Sequence, residues 1–207
     1  MRKAIAVIGE GITEKYYVES LKGLSTFQIR PKELGKKASS LNKLDENIKK
    51  SIQDGYDEVY CLIDMDGKKD GKSKAEYDKI KNKYHNKIHG NKNKGIQCKV
   101  LFIETERCTE LWFLYHFTKS TLTREFTSYK EIEKELKKFR PNYEKSDKYF
   151  KGVVDLHKEF TSKGTPNGSL NQAMLNAENS ISSKIKDGRS HTYSEMHILI
   201  SALGIKT

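Results

Sequence analysis

The sequence predicts an α/β fold, with a parallel sheet of about four strands covered by helices on both faces and a helical C-terminal subdomain behind it. Three observations carry this. Apolar runs at 4–8, 59–63 and 98–103 have strand length, and each ends at once in a glycine or an acid. The segments between them place apolar residues at helical spacing, and strands alternating with helices build parallel sheets. Beyond residue 117 only helical periodicity remains, so the boundary falls between an α/β domain at 1–117 and a helical subdomain at 118–207.

Ala4 to Ile8 reads as a strand buried on both faces. Gly9-Glu10-Gly11 turns the chain, and Thr13 is placed to cap a helix carrying Tyr16, Tyr17, Leu21 and Leu24. This opening has neither G-x-G-x-x-G nor G-K-[ST]; it offers a carboxylate between two glycines. Phe27 to Leu34 is a weaker strand, and Pro31 puts it at an edge. Leu41, Leu44, Ile48 and Ile52 mark a helix that Gly55 stops. Val59 to Ile63 is the central strand and leads into Asp64-Met65-Asp66-Gly67. Ser73-x-x-Glu76 has the form of a capping box for a helix carrying Tyr77, Ile80, Tyr84 and Ile88. Gly90 to Gly95 is a loop, and Cys98 to Ile103 the next strand. A helix is expected from near Thr105, with Glu110 in its first turns and Leu111 to Phe117 packed nearly all round. Trp112 and His116 read as core residues there. Further helices are expected at 129–139, 147–160, 170–185 and 193–203, the last capped by Thr192 and ended by Gly204. Gly164 to Gly168 is a loop.

Across 207 residues the net charge is +11, which favours a polyanionic partner such as nucleic acid or an acidic membrane. Eleven lysines stand from Lys68 to Lys99 against only Asp70, Glu76 and Asp78. Lys68, Lys69, Lys72 and Lys74 directly follow the Asp-x-Asp, where they suit phosphate-backbone binding; a solvated helix is the plain alternative. Cys61, Cys98 and Cys108 form no C-x-x-C pair and are odd in number, which excludes a zinc module and fits reduced thiols in the cytoplasm. The N-terminal apolar run resembles a signal peptide only until Glu10 interrupts it, and no run has membrane-spanning length.

Acids at the carboxyl ends of core strands stand where open α/β sheets bind ligands. Asp64 and Asp66 point the same way if both are extended. Two such carboxylates repel unless a proton or a cation separates them. They are read as half of a metal site, against a solvated turn as the alternative. For Glu10 the plain alternative is an ordinary loop acid.

Glu10-Gly11-x-Thr13-Glu14, Asp64-x-Asp66 and Thr109-Glu110-Leu111-Trp112-Phe113-Leu114-Tyr115-His116-Phe117 follow the first, third and fourth of the expected strands. In that order they resemble the RloB-like family, which looks like a stand-alone Toprim domain related to OLD-type nucleases. Tyr143-x-Lys145, the helix around Ala173 to Ala177, and Thr192 to Leu199 continue the resemblance over nearly the whole chain. One departure is that the family usually shows Asn-Pro-Cys-Phe where this chain has Glu106-Arg107-Cys108-Thr109. The resemblance implies a Toprim-like fold and a metal-dependent nuclease, with Mg²⁺ or Mn²⁺ on Glu10, Asp64 and Asp66. Glu14 and Glu110 would complete a second metal position, and Lys145 would stabilise charge. It also implies nucleic acid, DNA or RNA including tRNA, as partner and phage defence as setting, and leaves a partner ATPase and a homodimer open. Two other readings stand beside it: a non-catalytic nucleic-acid-binding module and a receiver-like phosphate-handling protein. The chain is too short for a topoisomerase body and lacks the zinc module of a primase.

Overall fold

In the computed structural model of the chain, residues 3–25, 27–33, 41–90, 95, 97–120, 125–162, 166–187 and 192–206 are described. Leu34, most of the loop expected over 90–95, residues 121–124 and part of the loop expected over 164–168 lie outside them. The chain forms an α/β structure around a five-stranded sheet. The strands are β1 (Ala4–Gly9), β2 (Gln28–Glu33), β3 (Glu58–Asp64), β4 (Lys87–His89) and β5 (Cys98–Thr105), in the order β2-β1-β3-β5-β4. The first three and β5 are parallel, while β4 runs antiparallel beside β5. The sheet therefore has one strand more than expected. Ile88, expected on a helix, lies in β4 with 68% of its surface exposed. Pro31 does sit on the edge strand β2, beside Val7 of β1.

Side-chain alternation divides the core. Ala6, Ile8, Val59, Cys61, Ile63, Val100 and Phe102 face α2 (Leu41–Gln53) and α3 (Gly71–Tyr84), which contribute Leu44, Ile48, Tyr77 and Tyr84. Ile5, Val7, Tyr60, Leu62 and Ile103 face the opposite side, against α1 (Ile12–Leu21) and α4 (Glu110–Tyr115). The C-terminal helices join this second layer. They are α5 (Tyr129–Lys137), α6 (Asp147–Val153), α7 (Leu156–Thr161), α8 (Leu170–Asp187) and α9 (Met196–Ala202). Ile132, Phe150, Phe160, Ala173 and Leu199 share one continuous core with the sheet. Trp112 is buried at its centre and donates Nε1–H to the Tyr17 hydroxyl at 2.8 Å. No helix among the described residues is long and apolar enough to cross a membrane.

Several boundaries move, each for a local reason. Thr13 lies inside α1 instead of capping it, because the helix already starts at Ile12 behind Gly11. α3 starts at Gly71, ahead of the Ser73-x-x-Glu76 pattern, since Lys74 N–H already bonds Asp70 O at 3.2 Å. α4 starts at Glu110 and not near Thr105, because the backbone past β5 is engaged elsewhere: Glu106 N–H donates to Tyr193 O at 2.7 Å. The helix expected over 147–160 breaks at Val154, which has φ +64°. Asp155 then caps α7 by accepting from Lys158 N–H at 2.9 Å. Thr192 does not cap α9; its hydroxyl oxygen accepts Phe126 N–H at 3.0 Å.

His116 has the core role expected of it. Its Nδ1 lies 2.9 Å from Trp112 O, while Nε2 is buried without a partner. Burial pushes its pKa down to about 3, so the folded protein holds it neutral while the unfolded chain protonates it below about 6.5. A depressed histidine contributes stability above the unfolded pKa and loses it as pH falls toward the folded one. Urea unfolding of the wild type and His116→Phe across pH 7 to 4 should show the wild type losing up to about 1.4 kcal/mol per pH unit more than the variant.

Candidate metal centre

The parallel register brings the carboxyl ends of three strands to one rim. Gly9 of β1 stands opposite Leu62, and Asp64 of β3 stands opposite Thr105. Glu10 follows β1 directly, Asp64 ends β3, and the turn after β5 delivers Thr109 and Glu110. α1 then returns Thr13 and Glu14 to the same rim. The return is tight: a Cβ at Gly9 would lie 2.4 Å from Glu14 Cβ, so only glycine fits there.

Four carboxylates meet at this rim. Glu110 is fully buried; its Oε1 accepts from Thr13 Oγ1 at 3.1 Å, from Tyr143 OH at 2.9 Å and from Lys145 Nζ at 3.0 Å. Asp64 Oδ1 accepts from Thr109 Oγ1 at 3.2 Å. Glu14 Oε2 takes the Gly11 N–H at 2.7 Å, leaving Oε1 buried with no partner. Glu10 meets Lys68 Nζ at 2.9 Å through Oε1 and 3.1 Å through Oε2.

The crowding shifts the acidity of the group. Burial, then the charges of Glu14, Glu110 and Glu10, raise the Asp64 carboxyl well above the usual range. Burial also raises Glu10, against the opposing pull of Lys68. For Lys145 burial works against the charged form, but Glu110, Asp64 and Glu14 outweigh it and raise its pKa. Four acids against two ammonium groups leave an excess of negative charge in a half-buried space.

Asp66 stands apart. β3 ends at Asp64, and a turn with Gly67 at φ +70° follows, so the two aspartates do not share an extended face as expected. The Asp66 side chain is 64% exposed and pairs with Arg107 Nη1 at 3.1 Å. Asp66 and Glu10 line one open cavity of about 370 Å³, together with Lys68, Asn42, Ser73 and Glu76. Lys68 does not project into solvent with its neighbours: its side chain is only 10% exposed and also donates to Asp64 O at 2.7 Å. Lys69 pairs with Glu106 at 2.9 Å, Lys72 is 90% exposed, and Lys74 pairs with Asp78. The sequence signalled Thr13 as a helix cap and Thr109 only as a motif position; that their hydroxyls orient Glu110 and Asp64 follows from α1 and α4 both starting at the rim where β3 ends.

All donors at the rim are oxygens, which suits a hard dication such as Mg²⁺ or Mn²⁺. The nearby Cys108 thiol is no competitor, since burial and the adjoining acids keep it protonated. The orphaned Glu14 oxygen and the excess negative charge fit a cation. In this conformation, however, no three Asp, Glu, His or Cys side chains among the described residues stand together as a ready-made cation site. Lys68 and Lys145 hold Glu10 and Glu110 instead.

A family model described as RloB-like protein matches residues 5–203. No curated protein matches the chain. Two stability effects follow from the rim. Asp64→Asn removes a like-charge conflict and should raise the melting temperature in EDTA by about 2–4 °C, as removing about 1 kcal/mol of repulsion would. Gly9→Ala drives a methyl into Glu14 and should cost about 1–3 kcal/mol in urea unfolding.

Proposed function

The chain belongs to the RloB-like protein family, and from that premise we propose that it is a metal-dependent nuclease of Toprim type, hydrolysing phosphodiester bonds in DNA or RNA. The observation that carries the reading is the crowded, half-buried group of Glu10, Glu14, Asp64 and Glu110 at one sheet rim, with an unpartnered carboxylate oxygen of Glu14 inside it. Carboxylates kept crowded at a cost to stability are expected where function needs their charge.

A bound Mg²⁺ or Mn²⁺ supplies the chemistry that the side chains lack: an activated water and stabilisation of the leaving oxygen. Glu10, Asp64 and Asp66 are the residues to hold it, with Glu14 and Glu110 next to them. Thr109 fixes the Asp64 carboxylate by its hydrogen bond. Tyr143 and Thr13 fix Glu110, which in turn aims Lys145. Lys145 stays charged and faces the same space, where an ammonium group stabilises the extra negative charge of the pentavalent phosphorus. The chain's net charge of +11 favours a nucleic-acid substrate over a small phosphoester. A role in phage defence, with or without a partner ATPase, extends the reading by association with the family.

One observation favours the second reading, a module that binds nucleic acid without cutting it. Lys68 and Lys145 already neutralise two of the four acids. A cleavage assay separates the two. Wild-type protein is incubated with single- and double-stranded DNA and tRNA in Mg²⁺ or Mn²⁺, beside Asp64→Asn. Cleavage should fall at least about 100-fold in the variant, while nucleic-acid binding changes by less than about threefold. Binding without any cleavage by the wild type would establish the module instead, and undiminished cleavage by Asp64→Asn would remove the site assignment.

A further inference from the structure

We infer that Lys68 and Arg107 are phosphate-binding residues which the free protein holds on its own metal-ligand carboxylates, so that substrate phosphate and metal ion bind with positive cooperativity. This rests on the reading of the rim as a metal centre.

Each residue is built into its position. Lys68 emerges from the turn after β3, where Lys68 N–H bonds Met65 O at 3.2 Å. Its ammonium touches both oxygens of Glu10 and the carbonyl oxygen of Asp64. Arg107 holds φ +71°, a left-handed backbone that non-glycine side chains rarely adopt. Strain of this kind persists where a function needs the side chain in one place. Arg107 Nε donates to Phe126 O at 2.8 Å, which anchors the stem, and Nη1 reaches Asp66 at 3.1 Å. The terminal nitrogens of a guanidinium anchored at Nε form the fork that matches a phosphate.

The carboxylates of the two ion pairs border one space, and Arg107 adjoins it through Asp66. Glu10, Asp66 and Lys68 line the same cavity, and Glu76 adds a third carboxylate to its wall. Its volume of about 370 Å³ lies within the range of small-ligand sites. Each of the three acids already has a cationic partner, Lys68 on Glu10, Arg107 on Asp66 and Lys72 3.8 Å from Glu76, so a dication enters that space only by exchange. A dication that settles on Glu10 and Asp66 displaces Lys68 Nζ and Arg107 Nη1 from those carboxylates, while Asp64 O still holds Lys68 and Glu106, 3.5 Å from Nε, still holds the Arg107 stem. A phosphate that takes up Lys68 and Arg107 releases the two carboxylates. Each ligand thereby removes the penalty that the other creates, and the coupling is reciprocal. The Glu110–Lys145 pair is different, because Thr13 and Tyr143 also hold Glu110 in place.

The test reads metal binding, not turnover. Mn²⁺ is titrated into the full chain with and without thymidine 3′,5′-bisphosphate, which offers phosphates but no scissile diester, and free Mn²⁺ is followed by electron paramagnetic resonance. The nucleotide should tighten Mn²⁺ binding to the wild type on the order of 10-fold. Lys68→Gln and Arg107→Gly should bind Mn²⁺ several-fold tighter than the wild type without nucleotide, and lose most of the nucleotide's effect. Glycine is the replacement at 107 because it accepts the left-handed backbone, and a melting scan verifies that each variant is folded. If both variants match the wild type with and without nucleotide, the exchange is wrong and the nuclease reading survives. If the wild type binds no Mn²⁺ even with nucleotide, both fall.

Discussion

Glu110 is a carboxylate with no exposure to solvent, and two distant parts of the chain supply what it needs. Thr13 comes from α1, Tyr143 and Lys145 from the segment between α5 and α6, and Glu110 itself opens α4. An unpaired buried charge costs several kcal/mol, so these partners must assemble together or not at all. The node therefore ties the α/β part to the helices that follow it. It also sets the electrostatics of the rim, because Glu110 is among the charges that raise both Asp64 and Lys145.

A second buried acid shows what a purely structural carboxylate looks like here. Glu104 accepts from the hydroxyls of Tyr77 and Tyr193 and pairs with Lys81. Burial alone would raise it, but the Lys81 and Tyr77 contacts overcome that and hold it below the ordinary range. Every demand of its charge is met, and it fastens the segment before α9 onto β5. Asp64 lies on the neighbouring strand and is pushed the opposite way by its surroundings. The contrast between a satisfied acid and a frustrated one, on adjoining strands, distinguishes scaffold from candidate chemistry.

Much of this was legible in the sequence because short apolar runs have few ways to be buried. The three core strands, the edge position of Pro31 and the buried helix from Leu111 to Tyr115 all follow from pattern alone. So does the gathering of Glu10, Asp64 and Glu110 at one rim, since parallel strands send their carboxyl ends the same way. What was not legible depended on competition between near neighbours. Whether the chain stays extended through Asp66 was decided by Gly67 and by Arg107, a residue 41 positions away. Lys68 reads like any other lysine of its run until the turn folds it onto Glu10. The break at Val154 turned on Asp155 preferring to cap the next helix.

The two borders of the sheet have a consequence for assembly. On one side β2 carries Pro31, which has no N–H to donate outward. On the other, β4 is three residues long, with exposed Lys87 at its start. Both are recognised ways of refusing an incoming chain, and both deny the growing fibre a template. Pairing of a further strand onto either border of the sheet is thereby disfavoured.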